Sequence, residues 1–508
     1  MLRSRDWFRP LFQNSGTLNS LTAFSLRHGD PSLRAFRLGI EVSPWFKHSE
    51  YGQAGENKEL RVLFFRIAAL LKRPVLPLFV FDGPHATKER HPMEKELTSG
   101  MKELAEAFGI EHRTASGDAV IDLALLNAHG VIDGILTDDL EAFLYGAHTV
   151  IQNPSSTHRG VPYDKGKQEQ YLVHRLPDLG YNRASLIFIS RLCTQIGAFD
   201  CNFMEIAIEL TRLGFADSLL RAATTMNRTE LKAFIPSWRA ELIQELATPS
   251  DVFSPSLAQF TQFARVSSFF PNIDMLLAYA NPAITISHDI QWSRREPSLP
   301  ALAALCERYF EWGWKSEIVK RFRTIIWPSI VIRAIRRYAL SPKQPVFTLG
   351  GTFAGTQRVG MDNDWILRIT SKKKDPFFNH ELLYYVEVDP RMLVYLAEAG
   401  VTGTRQPLPD WKAPKEPVDP LSPLKMWLPA VLVREARPNL VQTYEASLAL
   451  KAKQSRAKAL SKGEKGLVEN EVHKDEDEVH KDEDENEDSV SKSRNRRKTL
   501  ATKTAWTL

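Results

Sequence analysis

The chain has 508 residues, a formal net charge of +5 and a hydrophobic fraction of 43 %, which predicts two or three domains with sizeable cores. Its three cysteines are widely spread and give neither a disulfide framework nor a zinc pattern, so we expect a reducing compartment. No apolar run reaches the ~20 residues of a membrane span, and the N-terminus lacks the apolar segment of a signal peptide. The sequence therefore argues against a secreted protein and a membrane protein.

The charge is unevenly distributed along the chain. Residues 469–488 contain 12 acidic residues and two lysines, a net of −10, so the remainder carries +15. A basic body suits phosphate binding, although solvated Lys and Arg faces are also common in proteins that bind no nucleic acid.

Two hydrophobic segments near the N-terminus each end in an acidic side chain. RLGIEVSPWF, residues 37–46, predicts a short strand that ends in Glu41. PVLPLFVFDGP, residues 74–84, contains the nearly continuous apolar run Val75–Phe81, which is typical of a strand buried on both faces. This run ends in Asp82, followed by turn residues.

A third segment, ILTDDLEAFLYGAHTV at residues 135–150, repeats the pattern with more acids. A strand over Gly134–Leu136 leads directly into Asp138, Asp139 and Glu141. Carboxylates crowded at a strand end repel each other unless a cation lies among them, and strand ends are where α/β sheets bind ligands. The alternative is an ordinary loop in which an Asp caps the next helix. Three such strands favour a shared metal site.

The blocks GIEVSPWF, ENKELRVLFFRIAALLKRPVLPLFVFDGP and GDAVIDLALLNAHGVIDGILTDDLEAFLYGAHTVI resemble, in order and spacing, the N and I regions of the XPG / flap-endonuclease family. The resemblance covers residues 1–150 and is greatest to the eukaryotic Holliday-junction resolvases and their fungal relatives. It implies an α/β fold with a PIN-like nuclease domain, in which a mixed, mainly parallel sheet has helices on both faces.

The resemblance also implies a metal-dependent active site. The family's catalytic and metal-binding acids fall on five positions of this chain: Glu41, Asp82, Asp118, Asp139 and Glu141. If the protein is active, these acids would hold two Mg²⁺ (or Mn²⁺) ions, which prefer oxygen ligands. Asp82 and Asp139 keep the family's residue type, whereas the other three exchange Asp for Glu or Glu for Asp.

Two further family acids are missing. Val120 occupies one position and cannot bind a metal, although Asp122 could partly replace the lost acid. The other falls near Gly197, where Asp200 is at best a displaced substitute. Because catalytic geometry must hold to ~0.5 Å, the sequence leaves two functions open: an altered but working nuclease, or a catalytically impaired paralogue that binds branched DNA or a protein partner without cleaving.

Further segments carry expectations about DNA binding. Lys88 and Arg90 match by location the basic residues that face DNA in the family, and a solvated helix face is the alternative. A strand is expected at 186–190. The segment 201–220 predicts a helix resembling the family's helix–two-turn–helix region, here without its Gly-rich turn. Its apolar positions are Ile206, Ile208, Leu210, Leu213 and Phe215.

The rest of the chain completes the domain organisation. The nuclease core continues over 151–345 with the degenerate helix–two-turn–helix region and further helices, whose Trp and Phe residues are expected in the core. A small β-rich, chromodomain-like module is expected over 346–445, with a Pro-rich linker or loop at 403–425. A disordered acidic and basic tail is expected over 446–508.

These features combine into one expectation of function. The leading prediction is a structure-specific endonuclease for 5′-flap or Holliday-junction DNA, acting in DNA repair or recombination. Its partner would be branched or flapped DNA, with a possible homodimer on a four-way junction and no membrane. KSRNRRK at 492–498 resembles a basic nuclear-import signal, so the nucleus is the expected location.

Overall fold

The fold was analysed in a computed structural model of the chain. It describes residues 12, 15–33, 35–50, 52, 54–87, 92–153, 170–196, 211–247, 270–282, 290, 292, 296–340, 347–348, 360–361, 365–375, 381–407 and 418–472. Two units are distinguished, Met1–Pro438 and Asn439–Leu508, and each is described by itself.

A seven-stranded mixed sheet forms the centre of the first unit. Its strands are β1 (Thr17–Ser20), β2 (Phe36–Glu41), β3 (Val75–Phe81), β4 (Glu111–Thr114), β5 (Gly134–Leu136), β6 (Thr149–Gln152) and β7 (Gln170–Arg175). The spatial order is β1-β7-β6-β5-β2-β3-β4. Strands β2 to β6 run parallel to one another, and the pairings of β7 with β6 and β1 are antiparallel. This confirms the mixed, mainly parallel sheet.

Helices cover both faces of this sheet, as the resemblance implied. They are α1 (Leu21–His28), α2 (Ser43–Ser49), α3 (Lys58–Leu71), α4 (Glu94–Ala107) and α5 (Ala119–Ala128). All seven residues of β3 are buried. Leu78 and Val80 belong to the same core cluster as Leu123 of α5. Phe79 alternates with them along the strand and meets the Trp45 ring of α2, with centroids 5.7 Å apart. The two sides of one strand thus face different helices.

A helical region follows the sheet in sequence. It comprises α6 (Arg183–Ile196), α7 (Phe215–Thr225), α8 (Arg228–Ala247) and α9 (Ile273–Ala280). The strand expected at 186–190 is wrong, because these residues lie inside α6. Asn182 begins that helix by accepting a hydrogen bond from the Ser185 amide at 2.8 Å. The apolar run that suggested a strand is instead a helix segment buried in the core.

The helix expected over 201–220 is only partly correct. Residues 201–210, including Ile206, Ile208 and Leu210, lie outside the described residues. Gly214 has a φ of +85°, which interrupts the helix, and α7 begins after it. Leu213 is 44 % exposed and is therefore not a core position.

A second helical layer contains α10 (Leu299–Tyr309), α11 (Lys315–Ile325) and α12 (Trp327–Leu340). Their aromatic residues are buried, as the sequence predicted, and they are Phe310, Trp312, Trp314, Phe322 and Trp327. The Phe310 ring packs against Phe64 of α3 with centroids 5.5 Å apart. This layer therefore packs directly against the domain that contains the seven-stranded sheet.

The C-terminal part of the first unit contains small antiparallel sheets. A two-stranded sheet pairs β8 (Phe347–Thr348) with β9 (Gly360–Met361). A three-stranded sheet has the order β10 (Ile366–Asp375), β11 (Glu381–Val388), β12 (Leu424–Pro429). Two helices accompany it, α13 (Arg391–Ala399) and α14 (Ala430–Ala436). The expected β-rich module is therefore present, while its likeness to a chromodomain stays a prediction.

One buried carboxylate ties this module to α10. Glu307 accepts hydrogen bonds from the backbone amides of Thr402 and Thr404 at 2.7 and 2.6 Å, and from both hydroxyls at 3.0 and 2.9 Å. Burial alone would raise the pKa of Glu307, but these four donors lower it to about 2. The carboxylate is thus ionised and fully engaged at the contact.

The second unit is described over one helix, α15 (Pro438–Val472). Disorder expected from residue 446 is therefore wrong up to 472, because this Ala-, Lys-, Leu- and Glu-rich segment consists largely of strong helix formers. Residues 473–508, with most of the acidic segment 469–488 and the KSRNRRK cluster, lie outside the described residues. Within the described part of the chain, no helix is long and apolar enough to cross a membrane.

We predict that acidification destabilises the fold through His174 on β7. Burial lowers the pKa of His174 from 6.5 to about 4, and among the described residues its buried Nε2 atom has no hydrogen-bond partner. The unfolded chain therefore takes up a proton at higher pH than the folded chain, so stability falls as pH falls from about 6.5 to about 4. The loss should reach at most about 3 kcal/mol. Urea unfolding of wild type and His174→Phe across this range checks it, and identical pH profiles would contradict the prediction.

We also predict that Glu307→Gln destabilises the protein by about 2–3 kcal/mol, because the amide turns a donor toward the Thr402 and Thr404 donors. Thermal unfolding and limited proteolysis of the module measure the effect. Glu398→Gln is the matched control, since Glu398 forms a partly exposed bridge to Lys315 at 3.2 Å and should cost at most about 0.5 kcal/mol. Equal losses in both variants would refute the special role of Glu307.

Candidate functional site

The parallel strands deliver the predicted acids to one edge of the sheet. Strand β2 lies between β3 and β5 and is parallel to both. Glu41 ends β2, Asp82 follows β3, and Asp139 follows β5 by three residues. Because the carboxyl ends of parallel strands meet at one edge, these three side chains come from neighbouring positions, as the sequence predicted.

Thr137 joins the first and last of these acids. Its hydroxyl donates to Glu41 Oε2 and accepts from the Asp139 amide at 3.0 Å. Asp139 in turn accepts from the Glu141 amide at 3.0 Å through Oδ1 and so caps the 3₁₀ turn Leu140–Phe143. Glu41, Thr137 and Asp139 are all buried. Asp139 therefore does act as a cap, the alternative considered from the sequence. The turn that it caps contains Glu141.

Asp82 is held by two donors from different elements. Its Oδ2 atom accepts from the Ser43 hydroxyl, and its Oδ1 atom accepts from the Ala119 amide at 2.7 Å. The second bond satisfies an unpaired N–H at the start of α5. Asp82 therefore joins α2, β3 and α5 at the sheet edge, in addition to offering carboxylate oxygens.

Asp118 precedes α5, but its carboxylate accepts hydrogen bonds from Thr87 and not from the first turn of α5. Its two oxygens accept from the Thr87 amide at 2.8 Å and the Thr87 hydroxyl at 2.6 Å. This fixes the chain just before Lys88 and Arg90, both of which lie outside the described residues. Gly197 and Asp200 also lie outside them.

A core residue stands at the position of the missing acid, and the proposed substitute lies two residues further along α5. Val120 is 3 % exposed and belongs to the hydrophobic core. Asp122 pairs with Arg113 of β4 at 3.3 Å, and burial raises the pKa of Asp122 despite this partner. Among the described residues, its Oδ1 atom has no hydrogen-bond partner. Asp122 thus contacts Arg113, and its compensation for Val120 stays a prediction.

A group of four polar side chains, which we call the polar ring, was not anticipated from the sequence: Asp138, Asn153, His48 and Arg66. Asp138 Oδ1 accepts from the backbone and side-chain nitrogens of Asn153 at 3.0 and 3.1 Å. Asp138 Oδ2 lies 3.5 Å from His48 Nε2, and Arg66 contacts both His48 Nδ1, at 3.2 Å, and Asn153 Oδ1. The Arg66 guanidinium lies over the Trp45 ring, 4.2 Å from its centroid. The partners lie far apart in sequence, so no local signal revealed them.

Tyr145 and Arg183 connect the acid-bearing turn to the helical region. Arg183 donates to the Leu144 carbonyl at 2.9 Å and to the Tyr279 carbonyl at 2.5 Å. The Tyr145 and Tyr279 rings lie 4.9 Å apart. Burial, the Tyr279 contact and the charges of Glu141 and Asp139 all raise the pKa of Tyr145. The negative charges of Asp139 and Glu141 therefore disfavour ionisation of the Tyr145 hydroxyl.

The carboxylates match the chemistry of a magnesium or manganese site, because both cations prefer oxygen ligands. Among the described residues, however, no three His, Cys, Asp or Glu side chains are grouped closely enough to hold one ion. The carboxylate oxygens are thus suitable ligands for a divalent cation. In this structure, however, the side chains are positioned by hydrogen bonds to neighbouring groups. The five predicted ligands remain a prediction.

Comparisons with known proteins agree with this architecture. A family model described as the XPG I-region matches residues 109–196, and one described as the Holliday junction resolvase Gen1 C-terminal domain matches residues 365–447. "Flap endonuclease GEN-like 1" of Arabidopsis thaliana is 28 % identical over 204 residues, 34 % of this chain and 33 % of that protein. "Flap endonuclease GEN homolog 1" of Mus musculus is 33 % identical over 121 residues, 19 % and 13 % respectively. The chain thus spans a third or less of these relatives' length.

Solved structures show a similar fold. One is the Holliday junction-resolving enzyme GEN1 in complex with product DNA, Mg²⁺ and Mn²⁺ ions. It has a TM-score of 0.64 at 20 % identity and covers 88 % of this chain and 99 % of that one. Human GEN1 in complex with Holliday junction DNA has a TM-score of 0.52 at 18 % identity, with coverages of 88 % and 98 %.

The fold is thus the one seen in these GEN1 structures, with a carboxylate-lined edge on its parallel strands. Over residues 109–196 and 365–447 the chain is similar to the XPG I-region and to the Gen1 C-terminal domain, and in these segments it resembles the XPG / flap-endonuclease family. The match at 365–447 covers the three-stranded sheet, in the part of the chain where the expected chromodomain-like module had the weakest support from sequence.

We predict that Asp82 has a measurable structural role. Asp82→Ala should lower the free energy of unfolding by about 1–2 kcal/mol, because Ala119 and Ser43 both lose their acceptor. Asp82→Asn keeps one acceptor oxygen and should cost less than half as much. Urea unfolding measures both. Glu96→Ala, an exposed acid of α4, is the control, and an Asp82→Ala protein as stable as this control would contradict the prediction.

Proposed function

We propose that the protein is a metal-dependent, structure-specific DNA endonuclease of the 5′-flap or Holliday-junction type, acting in DNA repair or recombination. The single observation that supports this proposal is the placement of three acids at one edge of the sheet. Glu41 and Asp139 are linked through Thr137 on neighbouring strands, and Asp82 follows the next strand.

The residues of this edge suit phosphodiester hydrolysis. We propose that Glu41, Asp82, Asp118, Asp139 and Glu141 hold two Mg²⁺ or Mn²⁺ ions. When bound, such ions activate water and stabilise the leaving oxygen. The chain's own part is to orient the carboxylates. The bonds from Thr137, Ser43, Thr87 and the Ala119 amide provide that orientation.

The proposed substrate and partners follow from the relatives. Structures of GEN1 contain product DNA or Holliday junction DNA, with Mg²⁺ and Mn²⁺ in one case. We propose that this chain also binds branched or flapped DNA, forms a homodimer on a four-way junction, and works in the nucleus. The net charge of +15 outside residues 469–488 supports binding to phosphate.

The second candidate is a catalytically impaired paralogue that binds branched DNA or a protein partner without cleaving. The position of Val120 favours it, because this side chain packs in the core where the family has a metal-binding acid. The engagement of Asp82 and Asp118 by four donors also favours it, since each acid then has a structural reason to be present.

We predict that the wild-type protein incises labelled 5′-flap and four-way-junction DNA with Mg²⁺ or Mn²⁺. Asp82→Asn and Asp139→Asn should each lower the rate by about 10²–10³-fold, as expected when a preorganised charge at a reacting centre is lost. Asn is preferred to Ala because it preserves much of the structural hydrogen bonding. Gel electrophoresis of end-labelled strands measures the rates.

The control is Asp133→Asn, which removes a carboxylate at the opposite end of β5, where Asp133 pairs with Arg37 at 2.6 Å. It should cleave like wild type. Absence of incision by the wild type, with DNA binding that weakens steeply with salt, would establish the impaired paralogue instead. Equal cleavage by all variants would place the activity elsewhere.

A further inference from the structure

The polar ring around Asp138 is built from four elements at the edge of the sheet. His48 comes from α2, Arg66 from α3, Asp138 from the segment after β5, and Asn153 from the residue after β6. Because the Arg66 guanidinium can only donate, His48 Nδ1 accepts, and the His48 proton lies on Nε2, facing Asp138. Asn153 is 1 % exposed and closes the ring between Arg66 and Asp138.

This ring determines the path of the acid-bearing segment. Asp139 has extended backbone angles, φ −98° and ψ 102°, and successive side chains of an extended chain point to opposite sides. The Asp138 side chain is held toward α2, α3 and β6. The Asp139 side chain is thereby turned the other way, where it accepts from the Glu141 amide. Thr137, on the other side of Asp138, contacts Glu41.

We propose that Asp138 is a positioning residue, held by His48, Arg66 and Asn153, which sets the orientation of the Asp139 and Glu141 carboxylates. The proposal rests on the proposed function, because it assigns those two carboxylates to the reaction. Asp138 itself contacts the ring and takes no part in the chemistry.

Asp138→Asn tests the proposal directly. The substitution keeps the size of the side chain but sets an amide N–H₂ against either His48 Nε2–H or the Asn153 donors. Asp133→Asn is the matched control, since Asp133 precedes β5 as Asp138 follows it, and it also accepts from a backbone amide, that of Arg37 at 2.7 Å. A second pair varies the ring: His48→Gln can still accept from Arg66 and donate to Asp138, whereas His48→Leu can do neither.

Two readouts separate the proposal from the proposed function. Amide hydrogen exchange over residues 139–145 should become about tenfold faster or more in Asp138→Asn and His48→Leu, a change of ~1.4 kcal/mol, and should remain as in wild type in Asp133→Asn and His48→Gln. On flap DNA, kcat should fall about 10–100-fold in the first two variants, with KM unchanged within about twofold.

Unchanged exchange in Asp138→Asn and His48→Leu would overturn the proposal, as would the same acceleration in Asp133→Asn. A rise in KM with kcat unchanged would also overturn it, because that result would place Asp138 in DNA binding. If the wild type cleaves no DNA, the proposed function fails, and the exchange measurement alone still decides whether the ring positions Asp139 and Glu141.

Discussion

This structure depends on one constraint: the carboxylates at the carboxyl ends of its parallel strands must have hydrogen-bond donors. Buried or half-buried acids resist ionisation unless donors or cations surround them. Here hydroxyl groups and backbone amides surround them: Thr137 serves Glu41, Ser43 and Ala119 serve Asp82, and Thr87 serves Asp118. The same hydrogen bonds hold the loops around the edge. The orientation of the acids and the conformation of the loops therefore depend on the same contacts.

The rest of the first unit supports this edge from outside. Arg183 joins the end of the 3₁₀ turn to α9 by donating to the carbonyls of Leu144 and Tyr279. The contact between the Tyr145 and Tyr279 rings adds to this connection. Further away, Glu307 of α10 holds the segment that follows α13, through the amides of Thr402 and Thr404. The helical layers thus contribute rigidity to a site whose acids come from the sheet and the segments that follow its strands, which is how loops on a rigid scaffold carry function.

The sequence predicted what depends on local pattern. The bounds of β3 and β5 match exactly the apolar runs Val75–Phe81 and Gly134–Leu136, because a strand buried on both faces is apolar throughout. The same rule failed at 186–190, where an equally apolar run belongs to a helix surrounded by core. The ring around Asp138 could not be predicted, since His48 and Asn153 meet only once four elements are assembled. Val120 was recognised as a lost acid, but its place in the core required the packed structure.

We propose that this carboxylate edge binds the divalent cations that a nuclease of this fold would require. A titration of Mn²⁺ into the full chain with flap DNA, followed by electron paramagnetic resonance, tests the proposal most directly. We expect binding near two ions per protein, lost in Asp139→Asn and retained in Asp133→Asn. Absence of protein-dependent binding, or equal binding by both variants, would contradict the claim and leave a hydrogen-bonded edge that serves the fold alone.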